Sequence, residues 1–459
     1  MRVIICGAGQ VGYGITESLS KENHDITVID TNAKLIEKIS DNLDVRGIVG
    51  HGGHPDVLSA AGANDADMII AVTFSDEVNM VACQVAHSVF SIPTKIARVR
   101  AQNYLDPKYS DLFLRENLPI DVIISPEVEV GDMLLRRIAL PGSLDVLNFC
   151  EEQVIVLAVE CLEECPVLNT PLRQLSDLFP DLNTTVVGII RGSEIFIAHS
   201  ETELYVGDIV YIVVERSQVR RALGLFGHDE QEAGNIVIAG GGNVGLYVAR
   251  AMENFRHHRS KLKIIEADKE RASAISDELK YTTVFNGSAL DRAILSEAQV
   301  ERADLMITLT NQDQVNVLSA IMAKRMGCKA NLALLNTTTF EDITRSMGVD
   351  AVLDPHSVTV SKILQHMRRG RIRQVHSIAN GRAEIIEAQA MQTSPLIRDT
   401  LSRLELPEGI RIGAVYRNGA YINPTSDLKI RSGDRVVLFV MADAVRDVEQ
   451  MFRVSLEYF

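Results

Sequence analysis

The sequence predicts an α/β protein with two Rossmann-like parallel-sheet domains, each followed by a small α+β domain, in a duplicated large–small–large–small order. Three observations carry that expectation. The stretch "IICGAGQVG" at 4–12 returns as "IVIAGGGNVG" at 236–245. The stretch "ADMIIAVTFSDEVN" at 66–79 matches "ADLMITLTNQDQVN" at 303–316 without a gap, so that Thr73 meets Thr310, Asp76 meets Asp313 and Asn79 meets Asn316. Short, apolar, β-branched strands alternate with helical stretches at the spacing of βαβ units, which implies a parallel sheet covered on both faces.

In the first repeat, strand "MRVIIC" leads into the loop Gly7-Ala8-Gly9-Gln10-Val11-Gly12 and a helix "YGITESLSKEN". Strand "DITVID" ends at Asp30. Helix "NAKLIEKISDN", strand "VRGIVGHGG" and helix "HPDVLSAAGAND" follow. Strand "ADMIIAV", a helix to about Ser88 and strand "TKIARVR" are expected to complete the series. The second repeat keeps the order through "KLKIIEAD" with Glu266, "VLSAIMAKRMGC" and "NLALLNTTTF". The small domains read as strands, "VLNFCEEQVIVLAVE" and "TTVVGIIRGSEIFIA" in one, "HSIANGRAEIIEAQA" and "IRIGAVYRNGAYINP" in the other. Gly207-Asp208 and Gly433-Asp434 mark matching turns. Each small domain closes on an amphipathic helix. Domain limits are expected at 1–137, 138–228, 232–367 and 368–459.

A chain of 459 residues is too long for one core, and 46% hydrophobic with 23% charged residues is an ordinary globular mix. No apolar run approaches the ~18 residues that cross a bilayer. The start "MRVIICGAG" enters a strand with no room for a signal peptide. The six cysteines are scattered, which suits a reducing compartment. A net charge of −15 gives no electrostatic reason to hold nucleic acid or anionic lipid over the whole surface. Membrane association is therefore expected to run through a protein partner.

A lone GxGxxG is weak evidence, because any tight strand–helix turn uses glycine. Here each motif, Gly7 to Gly12 and Gly240-Gly241-Gly242-Asn243-Val244-Gly245, lies between a strand and a helix. Each has an acid at the end of the next strand, Asp30 and Glu266. That is the dinucleotide pattern: glycines for the turn, the phosphate approach and the packing, a helix N-terminus for the diphosphate, and a carboxylate for the ribose diol. A carboxylate there repels a 2′-phosphate, so NAD(H) is expected rather than its phosphorylated relative.

Arg98 and Arg100 follow the fifth strand at alternating positions and are expected to leave its end on opposite sides. Each reads either as a phosphate contact or as a surface ion pair. The second repeat has Leu334 and Asn336 there, so the two sites are not equivalent. Thr73 and Phe74, like Thr310 and Asn311, end the fourth strand beside the same crevice; the hydroxyl either touches the ligand or caps the following helix. His51 and His54 fit a loop beside an adenine better than a metal site, and no metal is expected. Cys161 and Cys165 flank a loop. The basic run "MRRGRIRQ" at 367–374 reads as the solvated end of a linking helix.

Together, "CGAGQVG", "HDITVIDTNAKLIEKI", "GHGGHPDVLSAAGANDADMIIAVTFSDEVNMVACQVA", "KIARVR" and "IVIAGGGNVG" resemble the RCK/KTN family, regulators of potassium conductance, and the resemblance runs the whole chain. It implies a non-enzymatic, cytosolic subunit, peripheral on the inner membrane, that binds NAD(H) and ATP/ADP. It implies docking on a membrane-embedded TrkH- or TrkG-type potassium channel subunit. Four chains, a homotetramer, would supply eight RCK-type domains of a gating ring. Residue by residue, it places the first site on Gly7 to Val11, Asp30, Thr73, Phe74 and Arg98. The second falls on Gly240 to Val244, Glu266, Thr310 and Asn311. The alternative is a soluble NAD-dependent oxidoreductase, although no HExxH, GxSxG or GxxxxGK[ST] motif occurs.

Overall fold

The computed structural model describes residues 1–21, 24–179, 181–255, 261–337, 344, 347–367, 372–379 and 381–452. In chain order the first large domain comprises β1 (Arg2–Cys6), α1 (Gln10–Ser20), β2 (Asp25–Asp30), α2 (Ala33–Asn42), β3 (Arg46–Val49), α3 (Pro55–Ala60), β4 (Met68–Ala71), α4 (Asp76–Ser88), β5 (Thr94–Arg98), β6 (Val122–Ile124) and α5 (Pro126–Ala139). The first small domain follows with β7 (Ser143–Phe149), β8 (Val154–Glu160), α6 (Leu172–Leu178), β9 (Thr184–Arg191), β10 (Glu194–Ile197), β11 (Ile209–Glu215) and α7 (Val219–Leu225). The second large domain has β12 (Asn235–Ala239), α8 (Asn243–Phe255), β13 (Lys261–Glu266), α9 (Lys269–Glu278), β14 (Thr283–Asn286), α10 (Arg292–Glu297), β15 (Leu305–Thr308), α11 (Asp313–Met326), β16 (Ala330–Leu334), β17 (Ala351–Leu353) and α12 (Pro355–Met367). The second small domain ends the chain with β18 (Ile372–Ile378), β19 (Ala383–Gln389), β20 (Ile410–Arg417), β21 (Ala420–Ile422), β22 (Arg435–Met441) and α13 (Val445–Met451).

Two compact units result, Met1–Asp132 with Gly234–His366, and Met133–Ala233 with Met367–Phe459. In the first unit both sheets are parallel and six-stranded, ordered β3-β2-β1-β4-β5-β6 and β14-β13-β12-β15-β16-β17. The order reverses between β1 and β4, and between β12 and β15, which opens a crevice at the carboxyl ends of the strands. Val3, Ile4, Ile5 and Cys6 are all buried, as a strand covered on both faces must be. The sequence reading stopped at the fifth strand of each repeat. The sixth is three residues long in each, too short for a period to register, and helices α5 and α12 follow it.

Those last helices cross to the other repeat. A Cβ at Gly131 of α5 would stand 2.3 Å from the Tyr247 ring of α8, and the Tyr247 hydroxyl donates to Asp132 at 2.7 Å. Reciprocally, Val360 of α12 lies against Gly14 of α1, where a Cβ would stand 3.1 Å from its methyl. Lys362 of α12 pairs with Glu129 of α5 at 3.5 Å.

The second unit holds two five-stranded antiparallel sheets, ordered β10-β9-β11-β8-β7 and β18-β19-β22-β20-β21. They share a core in which Phe149, Val156 and Val213 meet Ile385, Val437 and Phe439. On its other side each sheet is covered by its closing helix, α7 or α13. The Gly-Asp turns are explained by an arginine. Asp208 takes a two-point grip from Arg191 at 2.8 and 2.8 Å, and Asp434 the same from Arg417 at 2.8 and 2.7 Å. Of the basic run at 367–374, α12 ends at Met367 and β18 begins at Ile372; residues 368–371 lie outside the described residues. Among the described residues no helix is long and apolar enough to cross a membrane.

Candidate nucleotide-binding sites

Gly7 leaves β1 at φ +113°, and a Cβ there would stand 2.9 Å from Val72 O and Thr73 N. Gly12 packs so closely that its Cβ would fall 1.8 Å from Gly7 O. The fold itself therefore requires the first and third glycines. It does not require the second. Gly9 has an extended φ of −67° that any residue adopts, and a Cβ there would meet nothing within 4 Å. The second repeat repeats this: Gly240 is at φ +109°, a Cβ on Gly245 would stand 2.1 Å from Gly240 O, and Gly242 faces open space. Helix α1 begins at once, with no side-chain cap and no acid in its first turn. Its N–H groups are thus free for an anion.

The acid and the loop are already joined. Asp30 accepts from Ala8 N at 2.7 Å and from Asn32 N at 2.8 Å. Glu266 does the same for Gly241 N at 2.7 Å and Asp268 N at 2.8 Å. Each oxygen keeps a lone pair for a ribose hydroxyl. Across the crevice, Asn79 is fully buried. Its carbonyl accepts from Thr73 N and Oγ1, at 2.8 and 2.7 Å, while its amide donates to Thr73 O and Arg98 O. Arg98 Nη2 donates to Thr73 O at 2.8 Å. Contacts thus run from Asp30 through the glycine loop and Thr73 to Arg98.

Models of the TrkA-N domain match residues 3–126 and 236–355, and models of the TrkA-C domain match 156–227 and 385–453. The Trk system potassium uptake protein TrkA of Azorhizobium caulinodans is 51% identical over the full length of both chains. The chain belongs to the TrkA family. The corresponding protein of Halomonas elongata is 41% identical, again over both full lengths. Among solved structures, the GsuK RCK domain aligns with a TM-score of 0.60 at 17% identity, covering 98% of this chain and 94% of that one. The GsuK channel bound to NAD aligns with the same TM-score and identity, covering 98% and 78%. These likenesses establish that this TrkA-family chain has the RCK fold.

Within this TrkA-family chain the structure corrects two expectations. Thr73 and Thr310 do not cap a helix; their hydroxyls donate to Asn79 and Asn316, each at 2.7 Å. Ser75 is the cap of α4, accepting from Val78 N. Nor do Arg98 and Arg100 part: Arg98 ends β5, Arg100 lies two residues beyond it, and the Arg100 charge acts on the Arg98 guanidinium. Burial, reinforced by the Arg100 charge, pulls the Arg98 guanidinium below its ordinary pKa. Arg98 Nε has no partner, so its cation is only partly engaged. Arg100 Nε pairs with Glu127 at 3.0 Å and its guanidinium lies 5.6 Å from the centre of the Phe74 ring, which is 85% exposed. Of the two alternatives for these arginines, the ion pair describes Arg100 and not Arg98.

The second site differs at matching places. Leu334 is buried, and Asn336 bonds Asp313 at 3.0 Å instead of reaching outward. His356 follows Pro355 where Glu127 follows Pro126, and burial, with a further push from Arg98, pulls its pKa below the ordinary histidine value. His51 and His54 stack at 4.5 Å. Among the described residues no three His, Cys, Asp or Glu side chains are grouped to hold a metal ion.

Asp76 and Asn79, with Asp313 and Asn316, entered the sequence reading only as markers of the duplication. They are the scaffold of both crevices. Asp76 accepts from Arg100 N and Ala101 N, and Asp313 from Asn336 N and Thr337 N. Their repetition at one spacing in both halves was the available signal.

Proposed function

We propose that this chain is a regulatory subunit of a Trk-type potassium uptake system. It binds NAD(H) and ATP/ADP at its two glycine-loop crevices and gates a membrane-embedded TrkH- or TrkG-type channel subunit from the cytosolic face of the membrane. The domain limits expected from the sequence are kept. The observation that carries the reading is the second glycine of each motif. Packing explains the outer glycines; Gly9 and Gly242 have room for a side chain and no backbone need to be glycine. A diphosphate lying against the backbone supplies the need. The names of the relatives, Trk system potassium uptake proteins, support the physiological role, and the NAD-bound GsuK channel supports the ligand.

Gly7 to Gly12, Asp30, Thr73, Phe74, Arg98 and Arg100 form the first proposed site, and Gly240 to Gly245, Glu266, Thr310 and Asn311 the second. A large-domain pair is already joined in each chain, so four chains would supply a ring of eight domains. Light scattering at micromolar concentration should give a homotetramer; a monomer with and without nucleotide would remove that part of the reading.

The test of the sites is substitution of the glycines that the fold does not need. Gly9→Ala and Gly242→Ala should leave the melting temperature unchanged and weaken NADH binding at one site each. Unaltered affinity in both variants would exclude the glycine loops as ligand sites.

A further inference from the structure

The two glycine loops differ together at two matching positions, and both differences meet at one residue. Ala8 of the first loop is Gly241 in the second, and Leu35 of α2 is Arg271 of α9. Gly241 has no room for the methyl that Ala8 carries: a Cβ there would stand 2.3 Å from Ile275 Cδ1 and 3.1 Å from Glu266 Oε2. The second loop thus lies close against α9. From the first turn of that helix, Arg271 Nε donates to Gly241 O at 2.8 Å. The arginine backbone is itself anchored, since Asp268, the cap of α9, accepts from Arg271 N at 2.7 Å.

The fold does not need this arginine. Leu35 stands in its place in the first repeat and offers no donor. The loop and its acid nevertheless keep one geometry in both repeats: Asp30 and Glu266 each accept from the loop amide at 2.7 Å and from the amide two residues on at 2.8 Å. Nor is the guanidinium consumed by an ion pair. Glu278, further along the same helix, is taken by Arg250. Among the described residues the Arg271 side chain makes one hydrogen bond, through Nε, and its two Nη groups make none.

The sheet order β14-β13-β12-β15-β16-β17 puts β13 and α9 on one side of the crevice and β15 and β16 on the other. Glu266, the carboxylate for a ribose diol, ends β13. The adenosine end of a nucleotide therefore belongs on that side, with its phosphates at the N-terminus of α8. Arg271 stands at the adenosine end, and a planar guanidinium packs well against the face of an aromatic ring. The first repeat carries Arg98 and Arg100 on the opposite side, at and after the end of β5.

We propose that Arg271 is the base-recognition residue of the second crevice, its guanidinium stacking on adenine. This rests on the second glycine loop being a nucleotide site. Such a site holds adenosine nucleotides by base and ribose and is indifferent to the number of phosphates. Leu334 and Asn336 are then no defect, because the second site reads the other end of the ligand.

Hydrogen exchange of the full-length protein, followed by mass spectrometry against rising AMP, ADP or ATP, reads the peptides carrying Gly7 to Gly12 and Gly240 to Gly245 separately and gives an affinity for each loop. Arg271→Ala should weaken the second site by about 3- to 30-fold, by the same factor for all three nucleotides, and leave the first unchanged. Arg271→Lys, which keeps the charge without the plane, should recover only a small part. Ribose 5-phosphate, which lacks the base, should bind the unaltered chain and Arg271→Ala equally. Undiminished nucleotide affinity in Arg271→Ala overturns the proposal. So does a loss that grows with phosphate number, or full recovery by lysine, because either would mark a phosphate contact. An equal loss for ribose 5-phosphate would make Arg271 a prop of the loop and overturn it too. If no nucleotide protects the second loop even in the unaltered chain, the site itself falls, and this role of Arg271 with it.

Discussion

Asp30 holds the Ala8 amide at 2.7 Å, so the acid that ends β2 fixes the backbone of the glycine loop next to it. The carboxylate has two duties, one to the loop and one to a ribose. Asp30→Ala should therefore weaken NADH binding at the first site by about 1–3 kcal/mol, the range for a hydrogen bond to a charged group. Asp30→Asn should recover part of that loss and relax discrimination against a 2′-phosphate, because the repelling charge is gone. Calorimetry with NADH and NADPH reads both effects. Equal NADH affinity in Asp30→Ala and the unaltered chain would remove Asp30 from the site.

The first crevice should tell ATP from ADP, and the second should not. The two ligands share their adenosine contacts, so the difference must be read at the terminal phosphate. Arg98 has an unpartnered Nε and Arg100 sits beside it, whereas the second repeat offers Leu334 and Asn336. Replacing both arginines with alanine should weaken ATP more than ADP and blunt nucleotide-dependent potassium flux through the reconstituted channel. Alanine at 334 and 336 should change little in that discrimination. Undiminished ATP/ADP discrimination in the arginine variant would place the switch elsewhere.

The contact between the repeats is sterically tight at one point and relaxed at the matching one. Gly131→Ala drives a methyl into the Tyr247 ring, an overpacking that costs about 1–3 kcal/mol. Gly14→Ala needs only a small shift of a Val360 methyl and gains about 1 kcal/mol of helix propensity, so its net effect should be small. Denaturant midpoints of the two variants, measured side by side, test the inequality. Equal midpoints would show that the packing at Gly131 does not limit stability.

Acid should weaken the second large domain through Asp304. Burial opposes its charge, but Lys329 at 2.7 Å and the amides of Asn235 and Gly234 outweigh it and hold its pKa below the ordinary 3.8. A carboxylate whose folded pKa is depressed contributes stability above its unfolded value and loses it as pH falls through the folded one. Its contribution should thus be complete near neutral pH and fade below 3.8. Asp304→Asn should lower the melting temperature at neutral pH and show a shallower fall in acid. An identical acid profile in both chains would mean that Asp304 carries none of the dependence.

The duplicated parallel sheets, the glycine loops and their acids were legible because each is written in adjacent residues. Alternation of apolar strands and helices gave the sheets, and matching glycines gave the turns. The sixth strands escaped because three residues display no period. Helices α5 and α12 each open on a proline and carry local helix signals, but the partners they pack on are not written locally, since Gly131 and Val360 answer to Tyr247 and Gly14 on the other half. The capping reading of Thr73 failed because a buried asparagine six residues on, in the first turn of α4, takes the hydroxyl, a relation that local propensity does not contain. The parting of Arg98 and Arg100 was a misapplied strand period, not a gap in the sequence.

Gly14 and Tyr247 stand at matching places in α1 and α8, and Gly131 and Val360 at matching places in α5 and α12. Each contact therefore pairs a glycine with a bulkier side chain, but the glycine belongs to opposite partners. Two first repeats brought together would set glycine against glycine and leave a hole, while two second repeats would press tyrosine against valine. Only unlike halves fit. The duplication has become a mating type: separately expressed halves, mixed and examined by native mass spectrometry, should form the unlike pair in preference to either like pair.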